Sequence, residues 1–219
     1  MITIVYEDNH CLAINKPAGM LSQGDITGDP SAVDLVREDL RIRYNKPGNI
    51  FVGLVHRLDR PVSGVLLLAK TSKGASRLSA QFQSRDVEKT YLAIVEGEIA
   101  TDSGEWLDHL IKDEHENRVR VGEGGSEAGL SYRVLDRRRS KTLIELKPTT
   151  GRGHQLRVQL ASRGYPIVGD RKYGASQSAR ALDGAWRIAL HASLLEINHP
   201  TRPERLSLSA SLPADWPAF

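Results

Sequence analysis

Short apolar runs separated by polar turns recur along these 219 residues, and only three stretches repeat at helical spacing. Residues 2 to 6 and 11 to 15 are β-rich and flank Glu7-Asp8-Asn9-His10, the pattern of a hairpin or meander. Lys16-Pro17-Ala18-Gly19 turns the chain, and Lys16 reads either as a solvated turn residue or as part of a site. Gly24, Gly28 and Pro30 mark residues 22 to 30 as a mobile loop. Ser31 and Asp34 have the spacing of a capping box, and Val33, Val36 and Leu40 follow with helical period, which predicts a helix over 32–43. After a turn at Lys46-Pro47-Gly48-Asn49, the continuous run Val65 to Ala69 reads as a buried strand. Ser72 is then placed to cap a second helix with Ala75, Leu78 and Phe82 on one face.

Lys89 to Gly97 predicts another strand, with Tyr91, Ala93 and Val95 on one side. Residues 101 to 126 carry mixed charge and glycine and read as a hairpin, with a turn at Gly124-Gly125. Asp108, His109, Asp113, Glu114, His115 and Glu116 invite a metal reading, but no tight ligand spacing such as H-E-x-x-H is present, and no metal is expected. Strands follow at 128–136 and 141–147 around the basic turn Arg137-Arg138-Arg139. Thr150-Gly151 is expected to open a third helix through Leu156, Leu160 and Ala161, closing near Gly164. A strand between Trp186 and Ile197, with His191 inside it, and a last one between Arg202 and Ala210 complete the pattern. Many short strands with few helices, and no linker or repeat, predict an α+β protein: a single domain over 1–219 with a mixed, largely antiparallel central sheet flanked by helices and loops.

Composition narrows this only a little. A hydrophobic fraction of 40% and a charged fraction of 26% are those of an ordinary soluble globular chain. A net charge of +3 permits a polyanionic partner without requiring one. Cys11 is the only cysteine, so no intramolecular disulfide can form; it reads as a buried structural thiol in a reducing compartment. The first residues lack the basic start and apolar segment of a signal peptide, and no run approaches membrane-spanning length, so a cytoplasmic location without membrane contact is expected.

The candidate chemistry sits in Leu54 to Thr71, where Asp59 stands among His56, Arg57 and Arg60 before the turn Pro61 to Gly64. Nearby cations keep a carboxylate ionised, and loops held by a rigid scaffold are where chemistry tends to lie. Asp59 is then an anion ready to act as nucleophile or base; the plainer reading is a turn-capping Asp paired with a surface Arg.

His56-Arg57-Leu58-Asp59, followed after three residues by Ser63-Gly64, resembles the signature of the RluA-type family of RNA pseudouridine synthases. Asn15-Lys16-Pro17-Ala18-Gly19, Lys89-Thr90-Tyr91, Thr150-Gly151-Arg152-Gly153-His154-Gln155-Leu156-Arg157 and Gly164-Tyr165-Pro166-Ile167-Val168-Gly169-Asp170 agree in order and spacing. Three positions depart from the pattern: Val62 where Thr is frequent, Gly153 where Thr or Ser is usual, and Gln159 where His is common. The resemblance implies the pseudouridine synthase catalytic fold and the isomerisation of a uridine in ribosomal or transfer RNA, with no cofactor. It implies Asp59 as the catalytic carboxylate, Arg157 as its ionic partner, and Tyr91 against the target base. Arg57, His56 and Arg152 are expected to bind substrate, Arg57 by taking the place of the extruded base. Asp170 is expected to be structural. Some relatives carry a small RNA-binding domain ahead of the catalytic one; here the pattern starts at once, so RNA recognition is expected from the catalytic domain itself, acting as a monomer without an obligate protein partner. The competing expectation is a catalytically inactive RNA-binding protein on the same fold.

Overall fold

The computed structural model describes residues 2–45, 47–113, 118–177, 187–217 and 219. In chain order its elements are β1 (Thr3–Glu7), β2 (Cys11–Lys16), α1 (Ala32–Arg43), β3 (Gly53–Leu54), β4 (Ser63–Ala69), α2 (Ser72–Ser84), β5 (Val87–Glu96), β6 (Ser103–Asp113), β7 (Arg118–Val121), β8 (Ser126–Arg138), β9 (Lys141–Pro148), α3 (Gln155–Ala161), β10 (Leu190–Asn198) and β11 (Arg205–Ser209). The fold is α+β, and every strand pair with a described register is antiparallel. The chain divides into two compact units, Met1–Val87 with Ala192–Pro213, and Glu88–His191 with Ala214–Phe219.

In the first unit β4 is the central strand. It pairs with β2 from Cys11↔Ala69 to Lys16↔Gly64, with the two-residue β3, and with β10, which in turn carries β11. Every residue of β4 is buried, as its unbroken apolar run requires. Alternate residues Val65, Leu67 and Ala69 join Cys11, Ala13, Leu78, Leu195 and Ile197 in one apolar cluster. Gly64 is obligatory: its φ is +118°, and a Cβ there would stand 2.2 Å from the Ala192 carbonyl oxygen. The capping box of α1 forms as expected, Ser31 and Asp34 each accepting from the other's backbone amide. For α2 the cap falls one residue earlier than the sequence suggests. Thr71 keeps an extended backbone and its hydroxyl accepts from the Gly74 amide, so Ser72 is already helical. Both hydroxyls suit the role chemically.

The second unit is a meander in the spatial order β5-β9-β8-β6-β7. α3 lays Val158 and Ala161 against Leu110, Val119 and Ala128 of its strands. This helix is shorter than predicted, beginning at Gln155 and not at Thr150. His154 has φ +54°, outside the helical region, and Gln155 Oε1 accepts from the Thr150 hydroxyl and the Arg152 amide, which folds residues 150–153 into a loop. Lys46, Glu114, His115, Glu116 and Trp186, named above in a turn, a charged hairpin and a strand, lie outside the described residues. Among the described residues no helix is long and apolar enough to cross a membrane.

Candidate active site

Residues Lys16 to Ser22 cradle the loop that carries Asp59. The Ser22 hydroxyl donates to the Leu58 carbonyl at 2.8 Å and accepts from the Leu58 amide at 3.1 Å, holding the backbone just before Asp59. Beyond it, the Arg60 carbonyl accepts from the Gly19 amide at 2.7 Å, while Arg60 Nε donates to the Gly19 carbonyl at 2.9 Å. The Val62 amide closes a turn onto the Asp59 carbonyl. Leu58 and Val62 point into the core, Arg57 and Arg60 are exposed, and Asp59 is half-buried between them. The carboxylate is therefore presented by backbone fixed on both sides. Arg60, one of the cations expected around it, ion-pairs with Asp29 at 2.6 Å on the surface.

Lys16 is the cation that the sequence left undecided, and it is no solvated turn residue. Its side chain is fully buried, 0% exposed, and Nζ donates to the carbonyls of Pro17 and Met20 at 3.0 and 2.8 Å and of Arg60 at 3.4 Å. Three acceptors match the three N–H bonds of an ammonium. Burial pushes Lys16 down to about 7 from an ordinary 10.5, opposed by the charge of Asp59 and reinforced by Arg60. Lys16 thus supports the Asp59 loop mechanically and faces its charge. The folded-state value lies below the unfolded one, so between pH 7 and 10.5 the unfolded chain binds a proton that the folded chain does not. The stability of the wild type relative to Lys16→Met is therefore expected to rise with pH across this window and to be flat below it. Urea denaturation of both proteins over the same range checks this, and a difference that falls with pH would contradict it.

His56 was expected at the substrate, but its ring is engaged with the scaffold. Nε2 accepts from the Leu67 amide of β4 at 2.9 Å, and the ring stacks on Phe82 of α2 with centroids 4.7 Å apart.

The second unit positions the other expected residues. Tyr91 lies half-buried in β5, paired with Leu146 of β9. Lys89, two residues before it, donates to the Thr150 carbonyl at 2.8 Å, tying that strand to the loop ahead of α3. Arg152 Nε donates to the Glu127 carbonyl at 3.0 Å from an exposed side chain. Arg157, in α3, is 3% exposed, and Asp170, 0% exposed, meets it with two parallel bonds of 2.7 and 2.8 Å. The residue expected to be structural is thus the buried counter-charge of Arg157. Tyr173 was not singled out from the sequence. Its ring faces the Arg157 guanidinium at 5.0 Å, and its hydroxyl accepts from the Val119 amide and bonds His154 Nδ1 at 2.7 Å. Gln159, one of the departures from the family pattern, is fully buried and donates to Asp108 and to the Ala128 carbonyl, which makes it part of the packing under α3.

Asp8, Cys11 and His199 bring three potential metal ligands within 4.8 Å of one another. Their chemistry is that of a hydrogen-bonded lock. Asp8 Oδ1 accepts from the His10 and Cys11 amides, and His199 Nδ1 accepts from the Thr201 and Arg202 amides, so Nε2 holds the ring proton and gives it to Asp8. A metal at Nε2 would need that proton removed while Nδ1 kept its two donors. Burial, with the Asp8 charge beside it, pushes the Cys11 thiol up to about 12, away from the thiolate that a metal requires.

Comparison with known proteins agrees with the motifs. Residues 10–162 match the family described as RNA pseudouridylate synthase. The ribosomal large subunit pseudouridine synthase C of Vibrio cholerae is 35% identical over 213 residues, which is 96% of this chain but 66% of that relative's length. The tRNA pseudouridine synthase C of Haemophilus ducreyi is 37% identical over 98% of this chain and 93% of its own. Among solved structures, human RNA pseudouridylate synthase domain containing 4 superposes with a TM-score of 0.80 at 27% identity, covering 97% of this chain and 89% of that one. With most of its length matched in sequence and in fold, this chain belongs to the RluA-type RNA pseudouridylate synthase family.

Proposed function

We propose that this chain isomerises uridine to pseudouridine in ribosomal or transfer RNA, without metal or cofactor, through the carboxylate of Asp59. The observation that carries the reading is the fixed presentation of Asp59: Ser22 holds the backbone before it, Gly19 and Lys16 hold it after, and the buried Lys16 faces its charge. A carboxylate held this way is preorganised to meet a sugar carbon or a sugar proton. The C1′–N1 glycosidic bond breaks, the uracil turns over while bound, C5 joins C1′, and the proton on C5 leaves. Asp59 either attacks C1′ or removes the C2′ proton to give a glycal. Tyr91 lies against the uracil and helps take the C5 proton, directly or through water. Arg157, held by Asp170, takes part in the reaction through its guanidinium. Arg57, exposed beside Asp59, expels the target base and fills its place, and Arg152 contacts phosphate. The names of the ribosomal and transfer RNA relatives support the substrate class. The same reading makes residues 1–219 one catalytic domain, acting as a cytoplasmic monomer.

The test uses the lost C5 proton. RNA labelled with [5-³H]uridine, prepared from cells lacking this gene, should release tritium when the purified protein is added, and release should persist in EDTA. Loss of release on chelation, restored by one divalent ion while the RNA stays folded, would remove the metal-free mechanism. RNA binding with no release at all would leave the binding-only alternative.

A further inference from the structure

β4 changes neighbour along one edge. Near its C-terminal end it pairs with β3, at Leu54↔Leu68 and Gly53↔Ala69, and near its N-terminal end Gly64 lies against the Ala192 backbone of β10. Continuing the β3 register would bring Val55 opposite Leu67. β3 stops at Leu54 instead, and the amide of Leu67 is taken by the side chain of His56. A buried strand cannot leave such a donor unmet without cost. The His56 ring therefore replaces the backbone acceptor that β3 no longer offers, at the fork where the chain leaves the sheet to carry Arg57, Leu58 and Asp59. Stacking on Phe82 of α2 fixes the plane of the ring, and accepting at Nε2 fixes its tautomer with the proton on Nδ1.

We propose that His56 is a positioning residue for the Asp59 loop, holding the departure point of the loop through its bond to the Leu67 amide. With the Ser22 and Lys16 anchors, it makes a third fixed point on the six residues between β3 and Pro61. The inference rests on the proposed activity for its catalytic consequence, but the bond itself can be tested without it.

Two variants separate the ring's parts. His56→Phe keeps stacking and loses the acceptor; His56→Gln puts an amide oxygen near the place of Nε2 and loses stacking. With the [5-³H]uridine-labelled RNA at saturation, His56→Phe is expected to slow tritium release by about a hundredfold, the scale of a small misplacement of a reacting group, with RNA affinity unchanged. His56→Gln is expected to recover most of the rate. Amide hydrogen exchange, read at Leu67 by NMR, should show protection lost in His56→Phe and kept in His56→Gln. Wild-type release by His56→Phe, or a full rate at saturation with weakened affinity, would overturn the proposal, the latter in favour of a substrate contact. If His56→Phe does not fold, His56→Gln decides: a near-wild-type rate supports the acceptor role and a slow folded protein refutes it. If the wild type releases no tritium, the proposed activity fails, and Leu67 exchange alone decides whether His56 holds the Leu67 amide, with unchanged protection in His56→Phe refuting it.

Discussion

Asp59→Asn is expected to reduce tritium release from [5-³H]uridine-labelled RNA to the detection limit while RNA affinity changes little. The substitution keeps the shape of the side chain, and the backbone bonds that present it run through the Leu58 amide and the carbonyls of Leu58, Asp59 and Arg60, which it leaves intact. What it removes is the negative charge and with it the nucleophile or base. The loss of charge opposite the buried Lys16 also removes the interaction that favours its ammonium, so the folded state must be verified by its unfolding midpoint before rates are compared. Tyr91→Phe is the sharper companion, because it keeps the ring for packing and stacking. If the hydroxyl moves the C5 proton, release should fall by about 10²–10⁴-fold. An unchanged rate in Tyr91→Phe would confine Tyr91 to packing, and a wild-type rate in Asp59→Asn would end the carboxylate mechanism altogether.

Much of this site could be read from the sequence where its information is local. The helix α1 has its box at Ser31 and Asp34, β4 has its unbroken apolar run, and the HRLD segment carries its own motif. What could not be read depends on contacts distant in sequence. Lys16 looks like a turn residue because Pro17 and Gly19 follow it, yet it is the last residue of β2 and shares a strand face with Leu12 and Ile14. That alternation was the available signal; what turns it into a buried cation under Asp59 is the pairing of Lys16 with Gly64 and the return of residues 58–60 above it. His56 presents the same difficulty, since nothing in His-Arg-Leu-Asp says that β3 ends two residues earlier and leaves the Leu67 amide to be met. The start of α3 was misplaced because Thr150 and Gly151 are good opening residues, while the left-handed His154 is decided by the network of Thr150, Gln155 and Gly129. Tyr173 belongs to a short 3-10 turn three residues past Asp170, and its value comes only from the guanidinium it covers.

The second large effect concerns Arg157 and Asp170. Both are buried, and their two parallel bonds make a bidentate pair in which each charge is met inside the protein. Removing one charge leaves the other in the interior without that counter-charge, and Asp170→Asn is expected to cost about 3–5 kcal/mol of folding free energy. Urea denaturation measures it, and a loss within the scatter of surface substitutions would show that the pair carries no stability. The cost by itself says nothing about chemistry, because an unfolded enzyme is also an inactive one. The double variant Arg157→Met/Asp170→Leu separates the two. Replacing a buried pair by apolar groups of similar size is often neutral or stabilising, so most of the lost stability should return. The guanidinium proposed to take part in the reaction would still be absent. A double variant that regains its unfolding midpoint yet releases no tritium would assign Arg157 to the reaction, whereas one that regains both would confine it to holding α3 against Asp170 and Tyr173 in the second unit.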